Sequence, residues 1–275
     1  MAVAGTSLDP ETAAVREWHM PARRSLGNLS AVGAGFLIWA AVCAVDLTAA
    51  EASFMPAEVR RRTAAYESAG KVFREQRQEA AVVVEFARTC FDRAEALPEG
   101  PAKSSVAEEG IAACRSALER SPANAALHYY LGMNLGQLAQ TRTFGALKLV
   151  RQMEVAWSTA RTLDETLDHA GPDRSLGILF AECPRPPLSI GSREKARRHL
   201  ARAVELDPIH PENRLHFAEQ LVRWGNREAA RQQLSALDEL LPAAKTRLVG
   251  PDWDAAWLSW ENRLRLLRER LSSRR

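Results

Sequence analysis

The chain has 275 residues, 46% of them hydrophobic, and its 37 basic and 34 acidic side chains leave a net charge of +3. This length suits one large domain or two small ones, and the near balance of charge gives no nucleic-acid footprint, which needs clustered Lys and Arg. Ala, Leu, Glu and Arg dominate; these are good helix formers, and no stretch alternates Val, Ile or Thr at the period of a strand.

The most apolar run is residues 29–45, LSAVGAGFLIWAAVCAV, preceded by Arg23 and Arg24. Thr48-Ala49-Ala50 and Ala50-Glu51-Ala52 both suit a signal peptidase. A charged start, a short apolar run and a small-residue exit predict a secretory signal within an N-terminal extension of residues 1–52, which leaves 53–275 as an exported, periplasmic or secreted domain. Residues 1–19 are polar and long for such a leader, so Met20 is a candidate start beside Met1. The competing reading keeps residues 29–48 as an uncleaved membrane anchor, although the run is short of the ~20 residues that a span needs. Cys43 invites a lipoprotein reading, but Val42 stands where a small residue is wanted. Arg23-Arg24 weakly suggests twin-arginine export, from which Ala22 departs.

From Glu58 to Leu97 the pattern is helical, with an apolar cluster at Val82, Val83, Val84, Phe86 and Phe91. Leu97-Pro98-Glu99-Gly100-Pro101 predicts a loop. Helix resumes near Ser105, with Glu108 placed for a capping box, and stops at Ser121-Pro122. A second unit opens at Asn124 and carries Leu131-Gly132. Gly132 costs ~1 kcal/mol against Ala in a helix interior, which predicts a close helix–helix approach. Its second helix is expected over about 144–163. A third unit follows Ala170-Gly171-Pro172 and carries Leu176-Gly177.

The strongest pattern lies in residues 192–242. Ala196, Leu200, Ala203 and Pro208 are spaced four, three and five apart, and Ala230, Leu234, Leu237 and Pro242 repeat those intervals. Phe217, Ala218, Leu221 and Gly225 supply the partner helix between them. Small side chains let two antiparallel helices approach while larger ones fill the grooves. The proline is expected to end each second helix. Recurrence of this pattern at about 34 residues is the signature of tetratricopeptide (TPR) hairpins. The expected fold is therefore all-α: a TPR-like helical-hairpin solenoid over 53–275. Its repeats fall at about 79–122, 124–165, 172–208 and 211–242, with a C-terminal capping helix at 252–271. In that last helix Trp253, Trp257, Trp260, Leu264, Leu267 and Leu271 form one stripe, with Arg263, Arg265, Arg268 and Arg270 mainly off it. The stripe reads as a cap over the open end of the solenoid, or as an oligomer or membrane-surface contact.

One segment breaks the repeat. Pro184-Arg185-Pro186-Pro187-Leu188-Ser189-Ile190-Gly191 is longer than a TPR turn and stiffened by three prolines, and insertions of this kind often emerge on a binding face. Ser192 then caps the next helix. Free amides near Gly191 to Arg193 could hold an anion, or the end is an ordinary cap. The expected partner surface is Pro186, Pro187, Leu188, Ser189, Ile190, Gly191 and Ser192, with Arg174, His210, Asn213 and Arg214 on the same concave face. Each of these last four reads equally well as part of a solvated helix terminus.

No catalytic motif is present. The histidines lack metal-ligand spacing, and there is no HExxH, nucleophile elbow, Walker loop or dinucleotide fingerprint. The sequence thus predicts a non-enzymatic protein with no metal and no cofactor. Cys90 and Cys114 lie about equally far from the loop near Gly100, so antiparallel helices would set them at one level. Two readings stay open: a disulfide, or two small buried core residues.

The run from about His128 to Ala236 resembles the T component of tripartite ATP-independent periplasmic (TRAP) transporters. The residues that carry the resemblance are Leu131-Gly132, Leu135-Gly136, Gly145-Ala146-Leu147, Ala170-Gly171-Pro172, Leu176-Gly177, Pro187-Leu188-Ser189-Ile190-Gly191-Ser192, Ala203-Val204-Glu205-Leu206 and Pro211-Glu212-Asn213-Arg214. The resemblance implies an exported α-helical scaffold that meets a protein partner, a periplasmic solute-binding protein. Members are commonly lipoproteins, and the lipobox here is a poor one.

Overall fold

A computed structural model describes residues 49–142 and 145–273; the leader-like run at 29–45, the anchor reading of 29–48, Met20 and Cys43 all lie outside these residues. Among the described residues there are ten helices and no strand. They are α1 (Ala49–Glu75), α2 (Ala80–Glu95), α3 (Pro101–Leu118), α4 (Ala125–Gln140), α5 (Ala146–Leu163), α6 (Leu167–Glu182), α7 (Arg193–Leu206), α8 (Pro211–Arg223), α9 (Arg227–Arg247) and α10 (Pro251–Ser272). Each helix packs on the next in sequence. In addition α2 touches α4, α4 touches α6, α6 touches α8, and α8 touches α10, whereas the second helices of successive hairpins touch one another far less. In a curved stack the row in mutual contact is the inner one. The fold is a TPR-like solenoid with α2, α4, α6, α8 and α10 inside and α1, α3, α5, α7 and α9 outside.

The repeated small–large–small pattern makes the seams. Ala196, Leu200, Ala203, Ala230 and Leu237 are completely buried. The two Leu-Gly pairs work the same way. A methyl on Gly177 would lie 2.6 Å from Cγ of Leu200, and one on Gly132 would lie 2.4 Å from Nε1 of Trp157. The Trp157 indole is also pinned, because it donates to the Tyr129 carbonyl at 3.2 Å. Three apolar clusters follow the stack, around Phe86 and Leu127, around Met153 and Leu179, and around Leu215 and Trp260.

Turn chemistry sets the hairpins. Asn124, Ser192 and Asn226 cap helices through their side chains, while Pro101, Pro211 and Pro251 open helices at the position where a missing N–H costs nothing. Between α8 and α9 the chain reverses within Trp224-Gly225-Asn226. Gly225 is left-handed (φ 76°), and the Asn226 amide reaches the Leu221 carbonyl at 2.8 Å. This is a Schellman stop, and Asn226 at once caps the following helix.

Several boundaries differ from expectation. The helical pattern over 58–97 holds two helices, broken at residues 76–79 where the Glu79 amide bonds the Gln76 carbonyl. Helix α3 starts at Pro101 rather than near Ser105, because proline presets the first helical residue; Ser105 lies inside the helix and no capping box forms. Helix α5 starts at Ala146, after a left-handed Gly145. Helix α9 runs through Pro242 to Arg247, since fully buried Ala244 and buried Leu248 anchor one more turn against the core. In α10, Arg263 sits on the packed face, buried beside Leu264. Cys90 and Cys114 are both completely buried and both free; they pack in the Phe86 cluster, so the core reading replaces the disulfide.

Gly132→Ala is expected to destabilise the protein by about 1–3 kcal/mol through overpacking, even though alanine is the better helix former by ~1 kcal/mol. Urea unfolding checks this; a variant as stable as the wild type would mean that the indole moves aside freely.

Candidate functional site

Three consecutive residues at the start of α6, Asp168, His169 and Ala170, have left-handed backbone (φ 49°, 56° and 64°). Each costs a non-glycine residue about 1–2 kcal/mol, so something must hold them. Arg174, one turn on, donates to the His169 carbonyl at 3.0 Å and to the Asp168 carboxylate at 3.1 Å. Asn213 of α8, completely buried, donates to the same His169 carbonyl at 3.0 Å and to the carbonyls of Ala203 and Asp207 at the end of α7. Its own oxygen accepts from Arg174 at 2.9 Å. The Tyr129 hydroxyl of α4 donates to Asp168 at 2.6 Å.

The network continues into α8 and α10. The His169 ring bonds Asp207 at 2.8 Å and stacks on His210 at 4.3 Å. Trp253 meets both rings edge-on, and Trp260 meets His210 at 5.3 Å. Arg263 forms a bidentate pair with Glu219, at 2.7 and 2.8 Å, and donates to His216 Nδ1 at 3.1 Å. That leaves His216 Nε2 to donate to Glu212 at 3.3 Å. Burial alone would raise the Glu219 carboxyl, but the Arg263 guanidinium outweighs it and holds it well below the usual carboxylate range. Glu212 is lowered in the same way: burial is outweighed by His210, His216 and Arg174. Burial pushes His210 below the ordinary histidine value, against the pull of Glu212.

Of the residues expected on a concave binding face, Arg174, His210 and Asn213 do meet here. Their polar atoms are used on one another, on backbone carbonyls and on the carboxylates of Asp168 and Glu212, the Nδ1 of His210 excepted. Arg214 points elsewhere, to the Pro208 carbonyl and to Gln233 of α9. The insertion lies beyond the far end of α6, about 12 Å along the axis from Arg174 to Glu182 at 1.5 Å per residue. It closes on itself: the Gly191 amide donates to the Pro184 carbonyl at 2.8 Å, the Ser192 amide to the Phe180 carbonyl at 2.9 Å. Two of the amides expected to be free for an anion are therefore occupied. A side chain on Gly191 would overlap the Cys183 carbonyl, Ile190 tucks against the core, and Pro186, Pro187 and Leu188 are exposed. Ser192 is an N-cap, accepting from the Lys195 amide at 3.3 Å.

A different feature escaped the sequence reading. Helices α1 and α3 part above α2 to leave a groove of about 790 Å³. Its floor is aromatic: Phe73 stacks on Phe86 at 4.4 Å, and Tyr66 lies 6.0 Å from Phe86. Gly70 of α1 and Ala112, Ala113 and Ser116 of α3 form low walls. Lys71, Arg74, Arg77 and Arg120 line the rim. Tyr66 donates to Glu109 across it at 2.7 Å, and burial together with that carboxylate raises the phenol above its usual range. Tyr66 and Phe73, seven residues apart on one face of α1, were the available signal; the polar residues around them read as a solvated helix.

No protein-family model and no curated protein matches the chain. Among solved structures it is similar to a thermophilic TPR protein of Thermus thermophilus, with a TM-score of 0.57 and 18% identity over 76% of this chain and 91% of that one. The likeness is one of fold, and it matches the hairpin stack described above.

The pH response of the network follows from its shifts. His210 is lowered from 6.5, so the unfolded chain takes up a proton near that pH that the folded protein resists. Stability is thus full above pH 6.5 and falls as the pH drops through it. Glu212 and Glu219 are lowered from 4.5, so their contribution is full above pH 4.5 and is lost as the pH falls further. His210→Phe, which keeps a ring in the stack, is expected to lose less stability than the wild type between pH 7.5 and 5.5, by up to about 1 kcal/mol. Urea midpoints at the two pH values measure it; parallel losses would sink the assignment.

Proposed function

We propose that this protein is a non-enzymatic scaffold that binds a segment of a partner protein in the groove between α1 and α3. The observation that carries this reading is the contrast between the two polar regions. The Arg174–Asn213–Glu219 network is closed on itself, whereas the groove presents a part-exposed aromatic floor and four cations with no carboxylate within 4.0 Å among the described residues. Aromatic and arginine side chains at the centre of a concavity are the usual anchors of protein recognition.

Ala112→Trp fills the groove from an exposed position without changing its charge. Affinity capture from cell extract with the wild type and with this variant is expected to recover a set of proteins that the variant loses. A variant lacking Arg185 to Ile190 is expected to retain that set. Identical recoveries from wild type and Ala112→Trp would overturn the reading.

The leader-like residues 29–45 support export as the setting of this scaffold, and the Pro187–Ser192 motif supports the narrower role of a TRAP-associated component that meets a periplasmic solute-binding protein. The second reading, an envelope protein held by residues 29–48, rests on the same apolar run. Among the described residues no helix is long and apolar enough to cross a membrane. N-terminal sequencing of the protein recovered from cells is expected to begin near Glu51 or Ser53. A start that retains residues 29–48 would favour the anchor and remove the cleaved leader.

A further inference from the structure

We propose that the occupant of the α1–α3 groove is an acidic, amphipathic helix of the partner protein. This rests on the scaffold reading and adds the partner's chemistry to it.

Shape comes first. On α1 the groove runs from Tyr66 to Arg74, with Arg77 in the turn beyond it, and on α3 from Glu109 to Ser116, with Arg120 just past its end. The two helical walls span eight and seven residue steps, about 10–12 Å at 1.5 Å per residue, so the trough has the length of about two helical turns. Its low points are Gly70, Ala112 and Ala113. Small residues there let a third helix approach to the ordinary interaxial distance of about 8–10 Å. The aromatic floor then receives apolar anchors on one face of that helix, in the manner of helix-in-groove recognition. The solenoid already seats helices against helix pairs internally, since α4, α6, α8 and α10 each lie against both helices of the preceding hairpin.

Charge decides the sign of the partner. Elsewhere on α1 to α3, Arg61 and Arg62 pair with Glu58, Arg62 also with Glu95, and Arg88 with Glu85 and Asp92, whereas Arg115 bonds the neutral Gln152. Around the groove, Lys71, Arg74, Arg77 and Arg120 have no carboxylate within 4.0 Å among the described residues. Arg120 satisfies itself on the carbonyls of Ser116 and Arg77, and Arg77 lies over the Phe73 ring at 5.9 Å. The acids of the rim are Glu67 and Glu109, and Glu109 already accepts from Tyr66. The rim is therefore net positive by two, from four cations and two carboxylates. A helix that places Glu or Asp on both flanks of an apolar stripe meets those cations while its stripe covers Phe73 and Tyr66. A basic helix would set like charges together along both walls.

Two labelled peptides of about 16 residues, some four turns, test this against the full chain by fluorescence anisotropy. Both carry Leu and Phe at alternating third and fourth positions; one has Glu and the other Lys at the flanking positions. The Glu peptide is expected to bind about tenfold or more tightly than the Lys peptide, and to weaken as salt shortens the Debye length to about 8 Å and below. Arg74→Glu and Ala112→Trp are each expected to weaken it by about tenfold, roughly 1.4 kcal/mol, with unchanged helical circular dichroism. Equal affinity for the two peptides, binding of neither, or Glu-peptide binding that survives Ala112→Trp would overturn the acidic-helix proposal. Each of these leaves the scaffold reading standing if Ala112→Trp still loses its captured partners. Phosphatidylglycerol vesicles that displace the Glu peptide and bind Ala112→Trp as well as the wild type would also overturn it, and would assign the cations to a lipid surface.

Discussion

Arg174 and Asn213 hold each other inside the protein, and both hold the carbonyl of His169. A buried guanidinium needs every donor satisfied, because an unpaired buried charge is among the most costly defects a fold can carry. Arg174 meets that need with Asn213, with two carbonyls and with Asp168. In doing so it fixes the left-handed start of α6, the end of α7 and the beginning of α8 in one place. The stacked His169–His210 pair and the tryptophans of α10 then pack on that platform. The C-terminal helix is thereby more than a lid over an open end. Its Arg263 is drawn into the interior by Glu219, which ties the last element to the same set of charges.

The stack of hairpins was readable because it depends on volume at fixed intervals. Ala196, Leu200 and Ala203 and their counterparts Ala230, Leu234 and Leu237 repeat one spacing, and the buried seams lie where that spacing puts them. Leu131-Gly132 and Leu176-Gly177 foretold close approach for the same reason. The break between α1 and α2 falls at the expected start of the first repeat near residue 79, although residues 76–79 contain neither glycine nor proline to mark a turn; the packing of Phe73 on Phe86 accompanies the reversal. The left-handed turn at 168–170 did not announce itself. Its cause is a hydrogen-bond partner, Asn213, some forty residues away, and no local propensity reports that. For Arg174, His210 and Asn213 the sequence leaves a concave binding face and a solvated helix end equally open, because isolated polar residues near helix ends look alike in both. Their actual environment is set by elements that sequence spacing does not bring together.

The two polar regions differ in kind. In the interior network almost every donor finds an acceptor, so the charges serve conformation. At the groove the charges surround an aromatic floor that the chain itself leaves part-exposed. Low walls of glycine and alanine keep that floor accessible, and the outward splay of α1 and α3 follows from the curvature that brings α2 and α4 together. The same bend that closes the inner row thus opens the outer one.

Solenoids generally behave as chains of nearly independent links, each sensing only its neighbours. The Asn213 side chain makes one of those neighbour joints unusually tight by bonding the start of the hairpin before its own. Neither α6 nor α8 can melt while the other stays native without stranding a buried cation. The last two hairpins are thus obliged to act as a single cooperative block, and the register between them tolerates no inserted or deleted unit.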